Sequence, residues 1–444
     1  MARTCIVGGG ITGAVVAALA APKAGSVLAT PAALAASAAV TAAATAAARQ
    51  VHEAGSSAEV DPDAVVADPG DLVVWERGSS LGGRMATLGA QGAALGSRCD
   101  AGAQMLTRWA QNRADASAAG TAAAASAAPQ FRMAGGWFDW LESAGVVAPI
   151  TAPLVGFNEA ARGAVHYAAR AGFTQLVRHV AAQSTARVET GRHVVALEVG
   201  EALPPATTGG TSGSSSASTS SRRWVVTCAD GSVGNFEAVV LTIPPPALLA
   251  MQGDMPALLD GAGVLPGLNA VTFSSRFSLS LFFSSEQAAT LASLVPYAGR
   301  YVESRESDVI RYIAFDSLKR GVAGAGAAAG ATAEVPEELR GEHHPAVLVH
   351  TSIDFGRLYA DTDPARVEPI ILEHLRRLIP GLPDAVDSRC RFWKYSQVTH
   401  AYDGPQPFVV DPAPPAAVPP PPADESEAAA AARAAATASP VGAI

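Results

Sequence analysis

Three glycines near the start of the chain, Gly8, Gly10 and Gly13, stand in Gly-x-Gly-x-x-Gly spacing. They follow the short apolar run Cys5-Ile6-Val7 directly and precede helix-compatible residues, Ala14 to Ala20. Strand, glycine turn and helix in that order make the phosphate-binding fingerprint of a βαβ unit. Gly8 makes the tight turn, Gly10 leaves room for a pyrophosphate to approach the backbone, and Gly13 lets the helix pack closely on the strand. The free N–H groups and the dipole at the helix N-terminus then favour a diphosphate. Such a unit needs an acidic residue at the end of its next strand, roughly 20 residues on, for the ribose hydroxyls. No such residue stands there. An uncharged Ala-rich run, 24–48, and a Gly/Ser/Asp/Pro stretch to Gly70 intervene. The next strand reads Leu72-Val73-Val74-Trp75 and ends on Glu76, so 22–70 is an insertion and Glu76 the ribose-binding acid.

Glu76 is followed by Gly82-Gly83-Arg84, Thr87 and the segment Asp100 to Leu106, DAGAQML. Together with the glycine fingerprint these segments resemble the renalase family of FAD-dependent oxidoreductases. VVLTIPPP (239–246), FSSRFSLSLFF (273–283), VPYAGRY (295–301), IRYIAFDSLKR (310–320), VLVHTS (347–352), LIPGLP (378–383) and WKYSQVTHA (393–401) continue the likeness in the same order, over about residues 3 to 402. The resemblance implies an α/β protein with a Rossmann-like FAD-binding domain and a second α+β substrate domain built on an antiparallel sheet. The FAD-binding domain takes 1–108 and 166–246, with a loop at 204–222. The substrate domain takes 109–165 and 247–389, with an insert at 322–342. Residues 390–410 return to the FAD domain.

The resemblance further implies FAD contacts at Gly8, Gly10, Thr12, Gly13, Glu76, Gly83, Arg84, Gln104, Met105 and Val194. The Arg84 guanidinium suits phosphate or flavin oxygens through its directional fork, and the Val194 backbone would meet the adenine. Tyr297, Tyr301, Arg311 and Gln397 are the substrate-side candidates. The implied reaction takes a hydride from isomers of reduced nicotinamide dinucleotide and passes the electrons to oxygen, giving hydrogen peroxide. The flavin accepts the hydride, which leaves orientation and charge placement to the protein. Two other readings stay open: a general flavin amine oxidase with another substrate, and a non-catalytic nucleotide-binding flavoprotein. In one place the pattern departs from the family. A Gly-Asp-Gly segment leading a final helix is expected after Asp403-Gly404, where its N-terminus would stabilise charge on reduced flavin. Pro/Ala-rich sequence stands there instead, 411–444 reading as a disordered tail. That predicts weakly held FAD and slow turnover.

The 444 residues suffice for two domains. Hydrophobic content is 49%, but alanine supplies much of it. A net charge of −9 argues against a nucleic-acid partner. The four cysteines, Cys5, Cys99, Cys228 and Cys390, show no C-x-x-C pair and suit the cytoplasm or another reducing compartment. No His/Asp/Glu spacing suggests a metal. The run 24–48 is long enough to span a bilayer, but its Ala, Thr and Ser content and Pro31 argue against a membrane role.

Periodicity places the remaining elements. Phe138, Leu141, Ala144 and Val147 form a helix stripe stopped at Gly145, and Phe173–Ala182 reads as a second helix. Strands flank Gly191, and two more flank the turn Asp230-Gly231. Pro244-Pro245-Pro246 ends the last of these and sends the chain to the other domain. Alternating runs from Phe273 to Ser352 predict an antiparallel sheet with one face on the cofactor domain. A helix over Val367–Leu378 carries the stripe Ile370, Ile371, Leu375 and Leu378. The small-residue inserts 114–128, 204–221 and 322–332 fall outside the core, lacking apolar groups to offset ordering entropy.

Overall fold

The computed structural model describes residues 4–20, 72–92, 96–109, 136–157, 163–200, 223–321 and 344–404. The expected inserts at 22–70, 114–128, 204–222 and 322–342, and the tail 411–444, lie outside the described residues.

The fold is α/β. Thr4–Val7 runs parallel to Leu72–Glu76 on one side and Ala238–Leu241 on the other, and Arg187–Thr190 extends the sheet beyond Leu72–Glu76, also parallel. A parallel sheet is covered on both faces, so its strands read as near-continuous apolar runs, as CIV and LVVW do. Alternate residues enter different cores. Cys5, Val7, Val73 and Trp75 pack with Val226, Phe236 and Met255, while Ile6, Leu72 and Val74 pack with Ala17 of the first helix, Ile11–Ala20. A second sheet, Val233–Phe236, Arg223–Cys228, Val194–Gly200 and Gln252–Gly253, lies against the first of these cores.

Two expected boundaries move. The helix before Gly145 covers Gly136–Ser143, and Val147 opens a strand, Val147–Pro149. Gly145 takes a positive φ of 68° and donates its N–H to the Glu142 carbonyl, a helix C-cap that stops the stripe before Val147 can join it. The triple proline ends its strand but does not yet send the chain away. Pro245–Leu249 is a helix, followed by Met255–Gly261 and Leu265–Ala270. Proline suits a first helical turn, where its missing N–H costs nothing. These helices bury Leu248, Met255, Leu259 and Leu268 in the core that holds Cys5 and Val73, so the crossing falls at Thr272. The hairpin at Gly231 also yields two strands beyond its turn, not one. Val233–Phe236 pairs back antiparallel, and Ala238–Leu241 joins the parallel sheet.

The other sheet is six-stranded, in the order Asp387–His400, Thr272–Phe282, Ala346–Thr351, Ile310–Phe315, Gly299–Tyr301, Leu154–Val155. It is antiparallel except for the last pair. Phe277, Leu279 and Leu281 face a core closed by the helix Pro364–Leu378, whose buried stripe is Val367, Ile371 and Leu375; Ile370 and Leu378 are only partly buried. Phe282, Tyr312, Ala314, Ala346 and Leu348 face the opposite way, against Ala90, Cys99 and Met105 of the cofactor half. The expected placement of one sheet face on that half holds.

Candidate active site

The glycine loop is built by its own close contacts. Gly8 has a φ of 115°, a region side chains rarely enter. A β-carbon on Gly13 would lie 1.9 Å from the Gly8 carbonyl oxygen, and one on Gly9 would lie 2.4 Å from Leu81. Gly10 differs: a β-carbon there meets nothing within 4 Å. Its outer side is open space at the N-terminus of the helix Ile11–Ala20, where Thr12 is exposed. Gly83 approaches only the Gly10 Cα, at 3.6 Å from its own built β-carbon, and Gly82 donates its N–H to the Gly9 carbonyl. The two glycine segments therefore form one small-residue cradle, with Arg84 exposed at its edge.

Glu76 stands at the end of its strand as expected. Its carboxylate accepts the Gly9 N–H at 2.7 Å and the Gly78 N–H at 2.6 Å. Two carboxylate oxygens offer about four lone-pair sites, so acceptors remain for hydroxyl groups. The Glu76 carbonyl accepts the Arg192 N–H and the Gly78 carbonyl accepts the Gly191 N–H, which brings the turn before Val194 to the same strand end. Val194 itself is buried in the core. The open face at Gly10, the carboxylate beside it and the helix N-terminus fit the adenosine diphosphate portion of FAD.

Loop 100–105 joins this cradle to the antiparallel sheet. Ala103 donates its N–H to the Arg84 carbonyl, and a β-carbon on Gly102 would lie 2.0 Å from that same oxygen and 3.4 Å from the Trp393 ring. Gln104 donates to the Asp100 carbonyl at 2.5 Å and accepts from Lys319 Nζ at 3.2 Å; Met105 packs against the sheet face. Beneath the loop lies a buried group of charges. Lys319 meets Asp316 at 2.7 Å and Asp100 at 3.3 Å, Arg320 meets Asp316 at 2.9 Å, and all four side chains are fully buried. Burial alone would lower the Lys319 pKa, but Asp316 and Asp100 outweigh it and hold the ammonium charged. Asp100 also accepts the Thr87 hydroxyl and the Phe173 N–H, tying the loop to the start of the helix Phe173–Ala181.

The sheet face above the loop is an aromatic wall whose members come together by register. Ser278 pairs with Arg391 and with His350, His350 with Tyr312, and Tyr312 with Tyr301. Tyr301 lies 5.2 Å from Tyr312 and 4.6 Å from Phe157, and Tyr312 lies 6.0 Å from His350, between ring centroids. Trp393 donates its indole N–H to Ser278 at 2.8 Å. His350 Nε2 lies 2.9 Å from the Ala101 carbonyl. A carbonyl can only accept, so Nε2 carries the proton. Burial pushes the His350 pKa down to about 4, leaving a neutral ring with Nδ1 as an acceptor.

Of the four substrate-side candidates, the wall includes Tyr301, 44% exposed, and its margin includes Gln397, which accepts from Arg276 at 2.8 Å. Arg311 sits at an irregularity in its strand and donates to the Val302 carbonyl. Tyr297 belongs elsewhere. It is 7% exposed and packs with Leu291, Val295 and Val302 in the core on the helix-covered face. The turn that carries it directs the ring away from the cofactor half, which corrects its reading as a substrate residue. The sequence reading passed over Arg276, Tyr312, His350, Arg391 and Trp393. Their signal was the alternation in SRFSLSLF and VLVH, which marks one face of each strand but not which strands are neighbours. A surface groove of about 450 Å³ lined by Leu281, Glu368, Leu372 and Arg376 contains none of these residues.

Over 331 residues the chain is 25% identical to mouse renalase, spanning 74% of this chain and 78% of that protein. No family model matches it. Among solved structures, a protein assigned as a protoporphyrinogen oxidase from Exiguobacterium superposes with a TM-score of 0.49 at 11% identity, covering 90% of this chain and 88% of that one. A cofactor-binding variant of putrescine oxidase gives 0.43 at 10% identity, covering 87% and 84%. A Pyrococcus furiosus protein gives 0.41 at 9% identity, with 88% of each chain covered.

Proposed function

We propose that this renalase-like chain, an FAD-dependent oxidase, takes a hydride from isomers of reduced nicotinamide dinucleotide and delivers the electrons to oxygen as hydrogen peroxide. The observation that carries the reading is the junction at loop 100–105, where a nucleotide cradle and an aromatic wall meet across a few residues. FAD supplies the hydride acceptor when bound. The chain's residues position both partners. In this reading the open side of Gly10 admits the cofactor diphosphate, assisted by Thr12 and Arg84. The Glu76 carboxylate takes the ribose hydroxyls, and the Val194 backbone takes the adenine. Gln104 and Met105 border the flavin. Tyr301, exposed at the wall and backed by the buried Tyr312 and Trp393, gives a planar substrate ring apolar surface at little entropic cost. His350, neutral at pH 7, accepts a hydrogen bond without competing for a proton. Four free cysteines support a reducing compartment. No helix among the described residues is long and apolar enough to cross a membrane.

The decisive experiment mixes the FAD-loaded protein, without oxygen, with ordinary reduced nicotinamide dinucleotide, with its 2- and 6-dihydro isomers, and with a primary amine. Bleaching of the flavin by an isomer, followed by peroxide on admitting oxygen, is the expected result. Bleaching by the amine alone would move the protein to the general amine oxidases. No bleaching by any of them, with FAD fully bound, would remove the oxidase reading of this substrate class.

A further inference from the structure

We propose that Arg276 and Arg391 form an anion-binding pair that holds the phosphates of the substrate, a deepening that rests on the dinucleotide reading above. The pairs Arg276 with Trp393 and Ser278 with Arg391 set the two arginines at diagonal positions of adjacent strands. Diagonal neighbours of this kind lie about 7–8 Å apart, within reach of long side chains. Directly paired residues share a face, so both arginines stand on the face that carries His350 and Tyr312. Neither has a carboxylate partner among the described residues. Arg276 gives one N–H to Gln397 at 2.8 Å, while its Nε is buried with no hydrogen-bond partner. Arg391 lies 4.4 Å over the Trp393 ring.

Both guanidinium groups pay for this placement. Burial pushes each pKa below the usual arginine value; at Arg276 Tyr301 partly offsets the shift and Arg311 adds to it, and at Arg391 the like charge of Arg77 adds to it. In a chain of net charge −9, a half-buried arginine and an exposed one set near each other without acids are a specific arrangement, and an anion bound between them would satisfy the unused donors. The planar fork of arginine matches phosphate oxygens in pairs. The exposed ring of Tyr301 lies on the same face, so a ligand with a planar ring and a phosphate linked to it meets both surfaces at once. A reduced dinucleotide has that form.

The test compares steady-state oxidation of a reduced dinucleotide isomer with that of the matching N-methyl dihydronicotinamide isomer, which has no phosphate. Wild type, Arg276→Gln, Arg391→Gln and the charge-keeping Arg276→Lys are assayed at measured FAD content. In the glutamine variants KM for the dinucleotide should rise roughly tenfold to a hundredfold, as losing a charge-assisted hydrogen bond implies. Turnover per bound flavin and KM for the phosphate-free substrate should hold, and Arg276→Lys should recover part of the loss. Equal losses with both substrates would assign the arginines to the nicotinamide carboxamide and overturn the proposal. Loss of bound FAD with unchanged KM per flavin would assign them to the cofactor diphosphate and also overturn it. Should wild type oxidise no reduced nicotinamide, the function reading fails on its own. Calorimetric titration of inorganic pyrophosphate into the FAD-loaded protein then decides the pair. Binding to wild type that is lost in Arg276→Gln upholds it, and no binding to wild type rejects it.

Discussion

The cradle and the wall are two ways of building a site. In the cradle, the shaping contacts join residues close in sequence or on neighbouring parallel strands: Gly13 on Gly8, Gly82 on Gly9, Glu76 on Gly9 and Gly78. In the wall, Arg391, Ser278, His350, Tyr312 and Tyr301 come from five strands and meet only because the register of each pair is correct. A local site is specified by what its residues lack, chiefly side chains. A register site is specified by alternation, where a slip of one residue turns every side chain to the other face. Between them lies a buried charge group that belongs to neither: Asp100 from the cofactor half, Lys319 and Asp316 from the sheet half.

That charge group gives the severest test. If it clamps the two halves, Lys319→Met leaves Asp100 and Asp316 buried with Arg320 as their remaining cation. Breaking a buried ion network by removing one partner costs about 3–5 kcal/mol. Denaturant unfolding should show a loss of that size, together with weaker protection of loop 100–105 from amide exchange. A loss under about 1 kcal/mol would mean the halves are held by the apolar contacts around Met105 alone, and the clamp idea would fall.

Within the cradle the glycines divide by what they touch. Gly13→Ala drives a β-carbon against the Gly8 carbonyl at 1.9 Å, and overpacking of this kind costs typically about 1–3 kcal/mol, occasionally more. Gly10→Ala meets no protein atom within 4 Å, so stability should stay within about 0.5 kcal/mol, the range of a surface change. The same alanine should lower FAD affinity at least about tenfold by filling the approach to the diphosphate. Thermal unfolding without cofactor and flavin titration separate the two effects. Unchanged FAD affinity in Gly10→Ala would place the diphosphate elsewhere.

On the wall, His350 supplies a pH signature. Its folded pKa of about 4 lies below the usual 6.5. Between those values the unfolded chain takes up a proton that the folded chain refuses, so stability falls as pH drops from about 6.5 to 4 and is unaffected by this group above 6.5. The loss attributable to His350 should be on the order of 2 kcal/mol across that window, allowing for its partial exposure. His350→Asn should flatten the acid limb by that amount relative to wild type. An identical limb in both proteins would show that His350 is free to protonate in the fold.

How much was legible follows the same division. Gly8, Gly10, Gly13 and Glu76 declare themselves because a missing side chain or a strand-ending acid is visible in one line of sequence, even across the insertion at 22–70. The wall was half visible. VLVH and SRFSLSLF show alternation, yet nothing local says that His350 faces Tyr312 or that Arg276 sits across from Trp393. The expected crossing to the other domain at Pro244–Pro246 falls later because proline both ends a strand and opens a helix. Only the burial of Leu248, Met255 and Leu268 beside Cys5 distinguishes the two outcomes.

The smallest effect sharpens the boundary of the wall. Tyr297 comes from VPYAGRY, four residues before Tyr301, and the pair looks equivalent in sequence. The fold parts them: Tyr301 packs at a tilt against Tyr312 at the wall, while Tyr297 is 7% exposed among Leu291, Val295 and Val302 behind it. Its hydroxyl is buried with no well-formed hydrogen bond, and burial raises its pKa against the opposing pull of the nearby Arg300 guanidinium, so it is a neutral phenol that gains little from its oxygen. Removing an unsatisfied buried polar atom while keeping the ring is close to neutral or slightly stabilising. Tyr297→Phe should therefore change stability by less than about 0.5 kcal/mol, with turnover and KM equal to wild type. Tyr301→Phe keeps the tilted ring contact with Tyr312 and serves as the matched control at the wall. A clear fall in turnover for Tyr297→Phe with stability intact would return that hydroxyl to the substrate and redraw the wall to include it.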